Sequence, residues 1–271
     1  MAHPFLPLLL EPAELEKHLG AENLLVVDMN PPDVYNKAHI PGAVHLDYAQ
    51  IVAAQPPAMG ALPSESQLSE VFSAIGMTSN SHVVAYDNES NGRAARLLWT
   101  LDAVGHPHFS LLNGGLPAWL EENYPVSGEP TKKPRSEYQA KLSGVAVANK
   151  DYVLSHLQDR AVALLDTRSP GEYSGVDKRA ARGGHIPGAV NFDWMNAMDL
   201  NRNLRLRDAE TLRMELTRLG VTPDKEVITY CQTHHRSAHT YIVLKVLGFT
   251  NIKGYPGSWS EWGNCDDTPI E

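Results

Sequence analysis

The chain contains itself twice, and this limits what it can fold into more than any other feature. Leu24-Leu25-Val26-Val27-Asp28 matches Val162-Ala163-Leu164-Leu165-Asp166, and His-Ile-Pro-Gly-Ala-Val stands at 39–44 and again at 185–190. Val83–Asp87 matches Val227–Cys231, and Asn113–Trp119 matches Lys253–Trp259. The offsets are 138, 146, 144 and 140 residues, in constant order with small insertions. A long and nearly constant offset means duplication of a whole domain, not a short solenoid repeat. The copies are expected at 6–124 and 145–269. The Pro-rich, apolar-poor stretch 125–144 between them is expected to be a surface linker.

Within each copy, short apolar runs at 24–28, 83–86, 162–166 and 227–230 are bounded by turn residues and read as buried parallel strands. Helical patterns lie between them. Ser64 with Gln67 forms a capping-box signature opening a helix to about Ile75. Asp208 opens another that runs to about Leu219, with Gly220 as its stop. The alternation implies an α/β chain of two tandem domains, each a parallel sheet with helices on both faces. Sites in such sheets form at the carboxyl ends of the strands.

One strand end carries a nucleophile. The run 227–230 leads into Cys231, then Gln232-Thr233-His234-His235-Arg236-Ser237 and a helical pattern over 238–247. Backbone N–H groups in such a loop can form an anion-binding nest, and the helix N-terminus adds partial positive charge. Both favour thiolate over thiol. Arg236 would add charge, as would His234 and His235 when protonated. The counterpart of Cys231 in the first copy is Asp87, so the first copy is expected to be catalytically degenerate. A second asymmetry is charge. Residues 39–63 hold no Lys or Arg, whereas 178–207 hold six basic residues against two acids, net +4. Arg182 directly precedes Gly183-Gly184-His185 and is expected near the pocket mouth as a substrate-binding residue.

Other residues read as support. His39 and His185 occur in both copies, one of which lacks the cysteine, which points to a structural turn histidine. Asp166 is expected to hold the loop or orient Arg168. Trp119, Trp259 and Trp262 read as packing aromatics. Two cysteines among 271 residues exclude a disulfide framework and a cysteine-based zinc site. They also suit a reducing, cytoplasmic compartment. The pair His234-His235 lacks further ligands at metal spacing, so no metal is expected. A net charge of −9 argues against nucleic acid or an anionic membrane as partner. No stretch approaches the ~20 apolar residues of a membrane span. The start, Met1 to Leu10, lacks basic residues and is interrupted by Pro4 and Pro7, so a first strand is expected there and not a signal peptide.

The duplicated His-Ile-Pro-Gly-Ala, the Cys231 loop and Gly-Tyr-Pro-Gly-Ser-Trp at 254–259 together resemble the tandem-domain sulfurtransferases of the rhodanese family. The resemblance covers nearly the whole chain. It implies two rhodanese-like domains, the second catalytic, and transfer of sulfane sulfur from thiosulfate or a related donor to cyanide or a thiol through a Cys231 persulfide. It also implies a small anionic sulfur donor, a thiol or protein sulfur acceptor, and no metal or organic cofactor. Arg236, Arg182, Thr233, His234 and His235 are then expected to bind substrate, with Asp166, Arg168, Gln232 and Ser237 supporting the loop. The alternatives are a 3-mercaptopyruvate sulfurtransferase, a persulfide carrier or interaction module, and a Cys-loop phosphatase or arsenate reductase. The last is disfavoured by spacing, since Cys231 to Arg236 is Cys-x4-Arg and those phosphatases resemble Cys-x5-Arg.

Overall fold

A computed structural model describes residues 6–271. Residues 1–5, where the stretch expected to form a first strand begins, lie outside the described residues. The first copy runs β1 (Leu9–Leu10), α1 (Pro12–His18), β2 (Leu24–Asp28), α2 (Pro32–Lys37), β3 (Val44–His45), the hairpin β4 (Ala53–Gln55) and β5 (Ala58–Ala61), α3 (Glu65–Ala74), β6 (His82–Tyr86), α4 (Gly92–Ala103), β7 (Phe109–Leu112) and α5 (Gly115–Glu121). The second runs α6 (Lys150–Ser155), β8 (Val162–Asp166), α7 (Pro170–Tyr173), β9 (Val190–Asn191), β10 (Met198–Asp199), β11 (Arg205–Leu206), α8 (Ala209–Arg218), β12 (Glu226–Tyr230), α9 (Arg236–Val246), β13 (Ile252–Gly254) and α10 (Ser258–Trp262).

The chain divides into two compact α/β units. One comprises residues 6–51, 63–143 and 199–205; the other comprises Val52–Leu62, Gly144–Met198 and Leu206–Glu271. The first unit has a parallel sheet of order β1-β7-β6-β2-β3, and the second a parallel sheet of order β13-β12-β8-β9. Both sheets put their apolar runs in the middle, where both faces are covered and no alternation is needed.

These units differ from the two sequence copies in three places. The hairpin β4–β5 falls in the second unit and residues 199–205 in the first. The stretch 125–144, expected to be a surface linker, belongs to the first unit as far as residue 143. There Ser136 and Tyr138 donate to Ser73, and Ala140 donates to Ser69, along α3. Tyr138 and Ala140 are buried, which explains why a Pro-rich segment is nevertheless held.

Local chemistry sets the element ends. Ser64 accepts from the Gln67 N–H, and the Gln67 side chain accepts from the Ser64 N–H, so the capping box opens α3. The Asp208 carboxylate accepts from the Thr211 N–H and starts α8, and Gly220 beyond it has φ +76°. The repeated histidines make matching contacts. His39 lies 2.7 Å from the Tyr35 carbonyl and stacks on that ring, and His185 lies 3.0 Å from the Tyr173 carbonyl and does the same. Trp119 is fully buried in the core of the first unit, and Trp259 and Trp262 in that of the second. In the second sheet Tyr230 is in register with Asp166, so the loops after β8 and β12 leave the sheet side by side. Among the described residues no helix is long and apolar enough to cross a membrane.

Candidate active site

The chain leaves β12 at Tyr230 and turns through 231–235 into α9, which begins at Arg236, two residues earlier than its apolar pattern suggests. Cys231 is 1% exposed. Its backbone is pinned by the start of α10. The Cys231 N–H donates to the Ser258 hydroxyl at 3.3 Å, the Trp259 N–H to the Cys231 carbonyl at 2.9 Å, and the Ser260 N–H to the Gln232 carbonyl at 2.9 Å. The Thr233 N–H, the Ser237 N–H and hydroxyl, and the Arg236 charge all favour the sulfur's anion. Burial alone would push this thiol up. Arg236, Ser237 and Thr233 together outweigh burial and hold it below the ordinary thiol range.

The loop is built to aim those donors. His234 is buried with φ +55°, and its Nδ1 is 2.7 Å from the Ser237 hydroxyl oxygen. A left-handed residue in such a turn is how successive amides are brought to one side. His235 is the N-cap residue of α9, and its ring lies against Trp194. His234 thus braces the turn, and His235 caps α9 by its position alone, without a side-chain capping bond to the helix. Gln232 points to the segment before Arg182, its Nε2 donating to the Arg179 carbonyl at 3.1 Å.

Arg236 is gripped from behind. Its Nη1 and Nη2 donate to the two carboxylate oxygens of Glu172 at 2.6 and 2.9 Å. Glu172 is buried and also closes a capping box with Ser169 at the start of α7. Burial would raise its carboxyl, but Arg236 and Ser169 outweigh that and hold it at about 2. The same carboxylate is 3.3 Å from the Nε of Arg179, whose side chain is 66% exposed. Neither Glu172 nor Arg179 stood out in the sequence. Ser169-Pro170-Gly171-Glu172 carries the capping-box signature that could have found the first, and the one-sided basic stretch contained the second.

Asp166 and Arg168 form a buried pair beside the loop. Arg168 donates to Asp166 through Nε at 3.0 Å and Nη2 at 2.6 Å, and through Nη2 to the Gly184 carbonyl at 2.8 Å. Its guanidinium lies over the Trp259 ring at 4.4 Å. Arg182 differs from expectation. Its Nη1 and Nη2 donate to the carbonyls of Trp262, Cys265 and Thr268 and to the Thr268 hydroxyl, so its guanidinium is turned to the C-terminal segment. Cys265 sits in that segment, where burial and the carboxylates of Glu261 and Asp267 raise its thiol against the pull of Lys150.

The hairpin β4–β5 closes the second unit over the loop. A Cβ at Gly60 would collide with the Thr233 carbonyl oxygen and lie 2.6 Å from that of Pro256. The Met59 N–H donates to the Ser260 hydroxyl at 3.1 Å.

The first unit keeps the loop with an aspartate in place of the cysteine. The Asp87 carboxylate accepts the N–H groups of Glu89 at 2.7 Å, Asn91 at 2.8 Å, Arg93 at 2.9 Å and Ala94 at 3.0 Å. Its own side chain thus occupies the anion cradle. A cavity of about 630 Å³ opens nearby between α2, Asn88 and α5, and its walls hold no Cys, Ser or His. Among the described residues no cluster of three or more His, Cys, Asp or Glu side chains could hold a metal ion.

Comparison with known proteins agrees with the duplication. The family model of the rhodanese-like domain matches residues 11–122 and again 149–265. A thiosulfate sulfurtransferase of Azotobacter vinelandii is 46% identical over 266 residues, covering 98% of this chain and 97% of its own. A sulfur carrier protein of Thermus thermophilus is 33% identical over 283 residues, covering 99% of this chain and 97% of its own. Among solved structures, the anaerobic ergothioneine biosynthesis enzyme of Chlorobium limicola has the same fold, with a TM-score of 0.88 at 21% identity over 97% of this chain and 70% of that one.

Proposed function

The chain belongs to the rhodanese-like family, and on that footing we propose that its second unit moves sulfane sulfur from thiosulfate to cyanide or a thiol through a persulfide on Cys231. The observation that carries this reading is the pairing of a buried cysteine with donors that favour its anion: Thr233, Ser237 and Arg236. The Cys231 thiolate attacks the outer sulfur of thiosulfate. The S–S bond of thiosulfate breaks, sulfite leaves with the bonding electron pair, and Cys231 becomes a persulfide. That persulfide is again an anion at the mouth of the same nest. An acceptor nucleophile then takes the outer sulfur and returns the thiolate. The charge carried by the loop is −1 before and after each half-reaction, so one set of donors serves both. Two half-reactions through a covalent intermediate predict ping-pong kinetics.

Arg236 supports the thiolate and the persulfide by charge. Asp166 and Arg168 hold the neighbouring loop, and Gln232 ties the nucleophile's own turn to residue 179. The two-point bond of Arg236 to Glu172 further disfavours a phosphatase, in which that guanidinium would clamp a phosphate. The likeness to a Thermus sulfur carrier protein favours a second reading, in which the acceptor is a protein thiol. We place the reaction in a reducing, cytoplasmic setting, where Cys231 stays a thiol between turnovers.

Steady-state rates with varied thiosulfate and cyanide test the reading. Parallel double-reciprocal lines are expected, and Cys231→Ala should show no turnover. Faster sulfur transfer to a protein thiol than to cyanide would select the carrier reading, and no consumption of thiosulfate would remove the sulfurtransferase reading.

A further inference from the structure

The charges around Cys231 do not balance in favour of a dianionic donor unless one more residue is included. Arg236 is the cation that faces the sulfur, yet its guanidinium is bound at both nitrogens to Glu172. Seen from the mouth, that pair is neutral, and the thiolate leaves the site negative. The whole chain adds to this with a net charge of −9. Thiosulfate would approach against repulsion.

Arg179 reverses the count. Its Nε lies 3.3 Å from the same Glu172 carboxylate, which makes a cation–carboxylate–cation row with one positive charge in surplus. Its side chain is 66% exposed, whereas that of Glu172 is 3% exposed. The row therefore runs from Arg236 at the sulfur to a guanidinium in solvent. Arg179 is also tied to the nucleophile's turn, because its carbonyl accepts from Gln232, the residue after Cys231. Of the other basic residues here, Arg182 donates through Nη1 and Nη2 to carbonyls of the C-terminal segment, which holds its guanidinium there. The arrangement is confined to the unit with the cysteine. The first copy has Val34 where the second has Glu172, each just before the tyrosine that both copies share, and it lacks the segment that carries Arg179.

We propose that Arg179 is a substrate-binding residue, which receives the sulfonate end of the donor and then the sulfite that leaves. This rests on the sulfurtransferase reading and adds a position to it. When the outer sulfur of thiosulfate meets Cys231, the sulfonate group points away from the sulfur towards the mouth. As the S–S bond breaks, the electron pair passes to that group, and sulfite departs as a dianion.

The test is steady-state kinetics of Arg179→Ala, Arg179→Gln and Arg179→Lys on the full chain, with sulfite as product inhibitor. Both neutral variants should raise KM for thiosulfate by roughly three- to tenfold and weaken sulfite inhibition by a similar factor. Their kcat should stay within about twofold, because Arg236 still faces the thiolate. Arg179→Lys should keep most of the wild-type KM. Salt should raise KM steeply in the wild type and weakly in the neutral variants. Lys178→Ala, one residue away, should behave as the wild type. Unchanged KM and sulfite inhibition in both neutral variants would overturn the proposal, as would a Lys variant no better than Ala. A wild type without thiosulfate turnover would instead remove the sulfurtransferase reading itself.

Discussion

Glu172 accepts from both terminal nitrogens of Arg236, at 2.6 and 2.9 Å, and the same guanidinium faces Cys231. The carboxylate thus sets where the cation points, and through it how readily the thiol ionises. Glu172→Gln keeps the shape and removes the charge. Turnover should fall by roughly tenfold, because a guanidinium held by an amide is less firmly oriented, while the pH at which Cys231 alkylates should not rise, because the Arg236 charge is no longer offset by a carboxylate. A melting temperature that falls with turnover per folded molecule unchanged would show that Glu172 only stabilises the fold.

The same pair sets an acid limit. Glu172 is held at about 2, below its ordinary value of 4.5. A carboxyl depressed in the folded state adds stability that is complete above its unfolded pKa and is lost as pH falls through its folded one. Stability should therefore decline between about pH 4.5 and about pH 2, and Glu172→Gln should flatten that part of the curve. Urea midpoints measured across the interval check this, and identical slopes in both proteins would contradict it.

Arg236→Ala and Asp87→Ala should fail in different ways. The first removes the cation facing the nucleophile, so activity should fall well beyond any loss of folded protein. The second leaves four amides without their acceptor, two of them, at Asn91 and Ala94, buried, at a cost of about 3 kcal/mol. Asp87→Ala should therefore lower the melting temperature and leave turnover per folded molecule close to wild type. Rates and melting curves on both variants decide it, and equal loss of turnover per folded molecule would contradict the assignment of Asp87 to a degenerate copy.

The proposed nucleophile stands out in the sequence because duplication supplies its own comparison. Asp87 and Cys231 fall at one position of the repeat, and in the structure each is met by the N–H groups two and six residues ahead: Glu89 and Arg93, Thr233 and Ser237. The strands, the capping boxes at Ser64 and the cap at Asp208 were equally visible, since each is a local pattern. What the sequence hid is non-local. Arg182 stands before a glycine pair, as a mouth residue would, but carbonyls of the C-terminal segment claim its donors. Glu172 and Arg179 meet Arg236 and Gln232 only through the register of β8 with β12. The hairpin at 53–61 belongs by sequence to one copy and by packing to the unit of the other.

Gly60 gives that hairpin a measurable role. Its Cα abuts the Thr233 and Pro256 carbonyls with no room for a Cβ. Gly60→Ala should displace the Thr233 peptide, whose N–H serves the sulfur, and lower kcat/KM by several-fold. Cys231 alkylation should also shift to higher pH. Wild-type kinetics in this variant would show that the loop yields without consequence.

The two cysteines should separate by pH. Cys231 should alkylate with iodoacetamide well below the model thiol value of about 8.5, and Cys265, whose thiol is raised, should label above it. Labelling from pH 5 to 9 with peptide mass readout checks this, and superimposed profiles would remove the electrostatic account of the nest.

The most direct measurement is the intact mass of the protein after exposure to thiosulfate, with the adduct mapped by peptide. The account predicts a gain of one sulfur atom on Cys231, its loss on adding cyanide, and no gain in Cys231→Ala. An unchanged mass, or a sulfur carried on Cys265 instead, would contradict it.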